Sequence, residues 1–209
     1  MPVKTNEREY RQIMVENMET REEDNGEKIV EGYATTFDQE YRLWGDAQYE
    51  VLESIDRNAF NNTDMADVIM QYDHEGRVFA RKSNGTLQLA ADEHGLKIRA
   101  DLGGTEIGRQ LYEEIKGGYT TKMSFGFTVG KQERTETRDE NTGKVTVHRK
   151  ITEIKKLYDV SAVSLPANDA TEISSRMIGK GVIAEVEQEM QARAAREREI
   201  QKIKLMMEV

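Results

Sequence analysis

A chain of 209 residues is long enough for one domain with a well-buried core and a short appendage. It contains no cysteine, which excludes a disulfide framework, a thiolate nucleophile and a cysteine metal site. A formal net charge of -9 without a concentrated basic patch argues against nucleic acid as a partner, because such binding rests on neutralising phosphates.

The first ten residues hold no apolar core of signal-peptide length and no later run suggests a membrane span, so a soluble cytoplasmic protein without a membrane partner is expected. Residues 8–18 and 28–38 read as two strands around the turn-rich 21–27, and a polar loop with the only tryptophan, Trp44, follows. Residues 49–55 predict a strand, and 56–63 a short helix capped by Asp56. Val68 to Tyr72 is the next strand, ending at Asp73-His74-Glu75-Gly76, and 77–81 and 86–91 continue the β pattern. Asp92 to Gly95 is a hairpin turn into 96–102. Thr105 caps a helix with Ile107, Leu111 and Ile115 at helical spacing, stopped by Gly117-Gly118.

Tyr119 to Gly130 alternates. Met123, Phe125, Phe127 and Val129 take one face of an extended chain, and Lys122, Ser124, Gly126 and Thr128 the other. A charged loop over 131–143 and strands over 144–154 and 155–165 come next, closed by Pro166. From Ala170 the character changes, and 180–207, with a single glycine and no proline, reads as a weakly amphipathic helix. By pattern alone the core is a β-rich barrel or sandwich with peripheral helices.

A serine facing out from an apolar strand suits a nucleophile if a histidine and an orienting acid reach it. Three histidines compete. His94 in a turn and His148 on a solvated strand face need no special explanation, and their scatter gives no metal spacing. His74, at the end of an apolar strand between Asp73 and Glu75, suits a general base, or equally a residue capping a turn. Ser124 lacks the Gly-x-Ser-x-Gly setting, since position 122 is Lys, and Ser161 and Ser164 remain alternatives. Asp159, read as facing inward among Leu157, Val163 and Leu165, is a buried carboxylate needing a partner, with Glu153 competing for the role of acid.

Four segments in order carry a resemblance: Gly32-Tyr-Ala-Thr-Thr-Phe37, Tyr72-Asp-His-Glu75, Met123-Ser-Phe-Gly-Phe127 and Asp159-Val-Ser-Ala-Val-Ser-Leu-Pro-Ala-Asn168. Together they resemble the prohead (procapsid maturation) serine proteases of tailed bacteriophages. The resemblance implies a β-rich α+β fold similar to the herpesvirus capsid maturation proteases, a closed β-barrel with peripheral helices. It implies Ser124 as nucleophile, His74 as general base and Asp159 as third member, with oxyanion donors around Ala167-Asn168 and no cofactor. One departure is Asp73, where the family commonly has an amide.

The implied activity is a serine endopeptidase of capsid maturation, acting on the major capsid protein, the scaffold and itself inside the assembling procapsid in the host cytoplasm. A homodimer is a further expected partner. Residues 1–175 are read as the protease domain, and 176–209 as a charged helical tail that targets the enzyme, is removed by autocleavage or contacts a second copy. The alternative is a non-enzymatic scaffold or assembly module on the same barrel.

Overall fold

A computed structural model describes residues 7–13, 18–163 and 169–207. Among these residues the chain forms eleven strands and two α-helices, a strand-rich α+β architecture. The strands are β1 (Glu9–Ile13), β2 (Glu19–Glu22), β3 (Lys28–Thr36), β4 (Tyr41–Gly45), β5 (Tyr49–Ile55), β6 (Ile69–Tyr72), β7 (Glu75–Arg81), β8 (Leu87–Ala91), β9 (Gly95–Asp101), β10 (Lys122–Arg138) and β11 (Val145–Val163). The helices are α1 (Glu106–Lys116) and α2 (Asp169–Met207).

The expected closed barrel is corrected. One sheet runs β1-β10-β11-β5-β4, with β6 on β11 and β7 on β6, and a second runs β2-β3-β9-β8. Among the described residues no backbone ladder joins the two, so the sheets meet through side chains. Alternation in a sequence reports which face is buried, whereas closure depends on which edges pair, and that leaves no mark on a single strand. The main core between the sheets gathers Val30, Ile98 and Leu96 of the small sheet with Phe125, Phe127, Val160 and Leu157 of the large one.

Helix α1 forms as its sequence directs: Thr105 accepts from Gly108 N at 3.0 Å, and Leu111, Tyr112 and Ile115 enter the core. The predicted helix at 56–63 is instead a succession of turns, in which Asp56 Oδ1 accepts from Asn58 N. The polar loop around Trp44 is strand β4, and the charged loop at 131–143 is mostly strand, since β10 runs on to Arg138 before turning. The two strands expected at 144–165 are one, β11. Helix α2 packs Val182, Ile183 and Val186 against Leu43, Val51, Val145 and Val147 in a second core, while Ile200, Ile203 and Met206 are exposed.

Strand β11 positions the site. It pairs with β10 antiparallel along its length, with β5 in parallel over Val145–Ile151, and with β6 in parallel over Asp159–Ala162. Its register against β10 slips, leaving extra residues at Thr152, Lys155 and Tyr158. The slip at Tyr158 pairs Leu157 with Phe127 but Asp159 with Gly126. Leu157, Val160 and Ala162 therefore face the core, and Asp159 turns to the opposite face with Ser161. The inward orientation expected from strict alternation is thereby overturned.

Candidate active site

Ser124 lies on β10 with Met123 and Phe125 on either side of it in the core face, as a period of two requires. Its cross-strand partner is Ser161, and that of Gly126 is Asp159. His74 comes from a different part of the chain. Tyr72 pairs with Glu75, so Asp73 and His74 form a two-residue hairpin turn between β6 and β7. Both have left-handed backbones, with φ of 49° and 61°, the signature of a turn matched to strand twist. Two non-glycine residues in that region cost on the order of 1 kcal/mol each. Because β6 lies beside β11 and Asp73 N donates to Ala162 O at 3.0 Å, the turn stands at the Ala162 end of that ladder, from which the His74 side chain reaches Asp159.

These elements bring Ser124, His74 and Asp159 together. His74 Nε2 is 2.5 Å from Ser124 Oγ, and His74 Nδ1 is 2.5 Å from Asp159 Oδ1. Ser161 Oγ donates to the same Asp159 Oδ1 at 2.9 Å, and the Arg8 guanidinium pairs with Oδ2. Burial alone would raise the Asp159 carboxyl. The hydrogen bond and charge of His74, with the charge of Arg8, outweigh it and hold the group below the usual carboxylate range. An ionised Asp159 fixes the proton on Nδ1, so neutral His74 presents Nε2 as an acceptor toward Ser124. Ser124 Oγ also lies 2.9 Å from the carbonyl of Arg11, to which it can donate. One hydroxyl hydrogen cannot serve both acceptors.

The absence of a side chain at Gly126 makes room for the carboxylate. A Cβ there would collide with Asp159 Oδ2 and stand 2.9 Å from Arg8 Nε and 3.0 Å from Tyr10 Cε1. The missing side chain lets the carboxylate lie flat on the neighbouring strand.

The other candidates fall elsewhere. Glu153 pairs with Lys131 at 2.6 Å and has no contact with His74 among its described partners. His94 packs edge-on against Tyr33, and His148 bridges Glu40 and Thr137. Ser161 contacts the carboxylate rather than the imidazole. Ser164, Pro166 and the expected oxyanion donors Ala167 and Asn168 lie outside the described residues. Arg8 and Tyr10 were not singled out in the sequence, because only long-range pairing of β1 with β10 carries them to the site. The position of Ser161, two residues beyond Asp159 on the same face, was a usable signal for its contact.

On the core side of the same sheet lies a buried charged cluster. Glu53 accepts from Arg11, from Arg149 at 2.5 Å and from Tyr41 at 2.5 Å, while Glu9 pairs with Arg11 and, at 3.1 Å, with Arg149. Burial would raise the Glu53 carboxyl, but Arg11 and Arg149 hold it down at about 2.

A serine, an imidazole and a buried carboxylate in this sequence of contacts, carried on a strand-rich fold, are groups capable of acyl transfer. The chain matches the caudovirus prohead serine protease family over residues 16–182, and it belongs to that family. It is therefore a protease of phage capsid maturation. Among solved structures it resembles the bacteriophage T4 capsid assembly protease, gp21, with a TM-score of 0.42 and 13% identity, over 76% of this chain and 99% of that one. A search of curated proteins gives no match.

Proposed function

We propose that the protein is a serine endopeptidase in which Ser124 is the nucleophile, His74 the general base and Asp159 the residue that orients it. The observation that supports this reading is the imidazole of His74 held 2.5 Å from both the Ser124 hydroxyl and the Asp159 carboxylate. Ser124 Oγ attacks the scissile carbonyl carbon while its proton passes to His74 Nε2. The same proton then goes to the leaving amine, and the acyl-enzyme is released by a water that His74 deprotonates. Asp159 stabilises the imidazolium formed at each stage.

The substrates on this reading are the scaffolding segment of the major capsid protein, the scaffold and the protease itself, cleaved inside the assembling procapsid. The exposed end of α2 serves as the targeting segment. Co-expression with the cognate capsid protein, followed by N-terminal sequencing of fragments, tests the proposal: Ser124→Ala abolishes processing while the fold persists. Processing by that variant at the parental rate would refute it.

A further inference from the structure

Strand β1 lies where an extended peptide would have to lie to meet Ser124. It is an edge strand, paired on one side with β10, and its register sets Gln12 opposite Ser124, Arg11 opposite Phe125 and Tyr10 opposite Gly126. Its backbone engages the nucleophile through the 2.9 Å contact of Ser124 Oγ with the Arg11 carbonyl. Its side chains cover the rest: the Tyr10 ring lies 4.5 Å from that of His74, and Arg8 closes over Asp159 between the rings of Tyr10 and Tyr158. Ser124 and Asp159 are fully buried, and the His74 side chain is 7% exposed. No peptide carbonyl can approach Ser124 Oγ along the β10 edge while β1 is seated there.

Two observations suggest that this strand can leave. The buried charges divide evenly: Glu9 and Arg11 travel with β1 as one ion pair, while Glu53 keeps Arg149 at 2.5 Å and Tyr41 at 2.5 Å. Neither half strands a lone charge. The family match also begins at residue 16, beyond β1. From this geometry, and resting on the serine-protease reading above, we infer that β1 is an intramolecular occupant of the substrate groove. It holds the enzyme closed until it is displaced from β10.

Removing β1 from an already folded chain is the direct test. A recognition sequence for a site-specific protease is inserted between Ile13 and Met18, the full chain is folded and then cut, and the freed segment is followed by mass spectrometry. Ser124 is titrated with a fluorophosphonate probe before and after. Labelling at least ten-fold faster after release, and slowed again by adding the segment back as a peptide, supports the inference. Equal rates before and after release overturn the occupancy and leave the nucleophile standing. No labelling of either form, with unchanged circular dichroism, overturns the nucleophile and the occupancy together. Where the segment stays bound or the cut chain unfolds, uncut Tyr10→Ala decides. A several-fold faster labelling supports the inference, and an unchanged rate overturns it.

Discussion

Substituting Glu53 tests how the charged cluster supports the sheet. Glu53→Gln keeps the shape but leaves Arg11 and Arg149 sharing Glu9, two buried cations against one anion. Breaking a buried pair in this way costs about 3–5 kcal/mol. A second route starts from the carboxyl itself, held at about 2 in the fold against an ordinary 4.5. That difference corresponds to about 3 kcal/mol. For a chain of this size a loss of about 3 kcal/mol lowers Tm by about 6–12 °C. The sign with pH follows from the depressed value. The stabilisation is fully present above pH 4.5 and fades as pH falls toward 2, because the unfolded chain takes up the proton first. Urea unfolding of parent and variant between pH 7 and 2.5 should show a gap that narrows below pH 4.5. Adding Arg149→Met to Glu53→Gln restores charge balance and recovers part of the loss. A variant within 1 kcal/mol of the parent at pH 7, or a gap independent of pH, would refute the reasoning.

Three further outcomes concern the site. Asp159→Asn replaces the acceptor-only carboxylate with a neutral amide that can also donate, so the His74 tautomer is no longer fixed, and on the proposed mechanism kcat falls by about 1,000- to 10,000-fold while circular dichroism is unchanged. Gly126→Ala drives a methyl into the Asp159 carboxylate; it costs about 1–3 kcal/mol in urea unfolding and about 100-fold in peptide cleavage. Ser161→Ala removes one donor to the ionised Asp159, so cleavage falls about ten-fold and the acid limb of the pH profile moves upward, with Ser161→Thr retaining most of the activity.

The strands around the site were legible wherever one face is apolar and the other is not, as on β10, where Met123, Phe125, Phe127 and Val129 all enter the core. β5 and α1 were equally clear, the latter because its cap and its stop are both local. What escaped the sequence is non-local. The turn at Asp73-His74 gave a histidine beside carboxylates, but its left-handed backbone and its seat beside β11 follow from parallel pairing of β6 with β11. The far end of β10 reads as a loop because charged residues dominate it, where pairing with β11 suffices with little burial. The facing of Asp159 was misread because register slips are a property of two strands together. The part played by β1 was hidden for the same reason.

Those slips bind chain length to chemistry. Arg149 and Asp159 stand ten positions apart, an even number, yet one belongs to the interior cluster and the other to the opposite side of the sheet. An odd count of surplus residues between them, at Thr152, Lys155 and Tyr158, makes this possible. Loss of any single one would leave parity to choose which of the two charges is misplaced. Loss of two would keep both charges on their present faces.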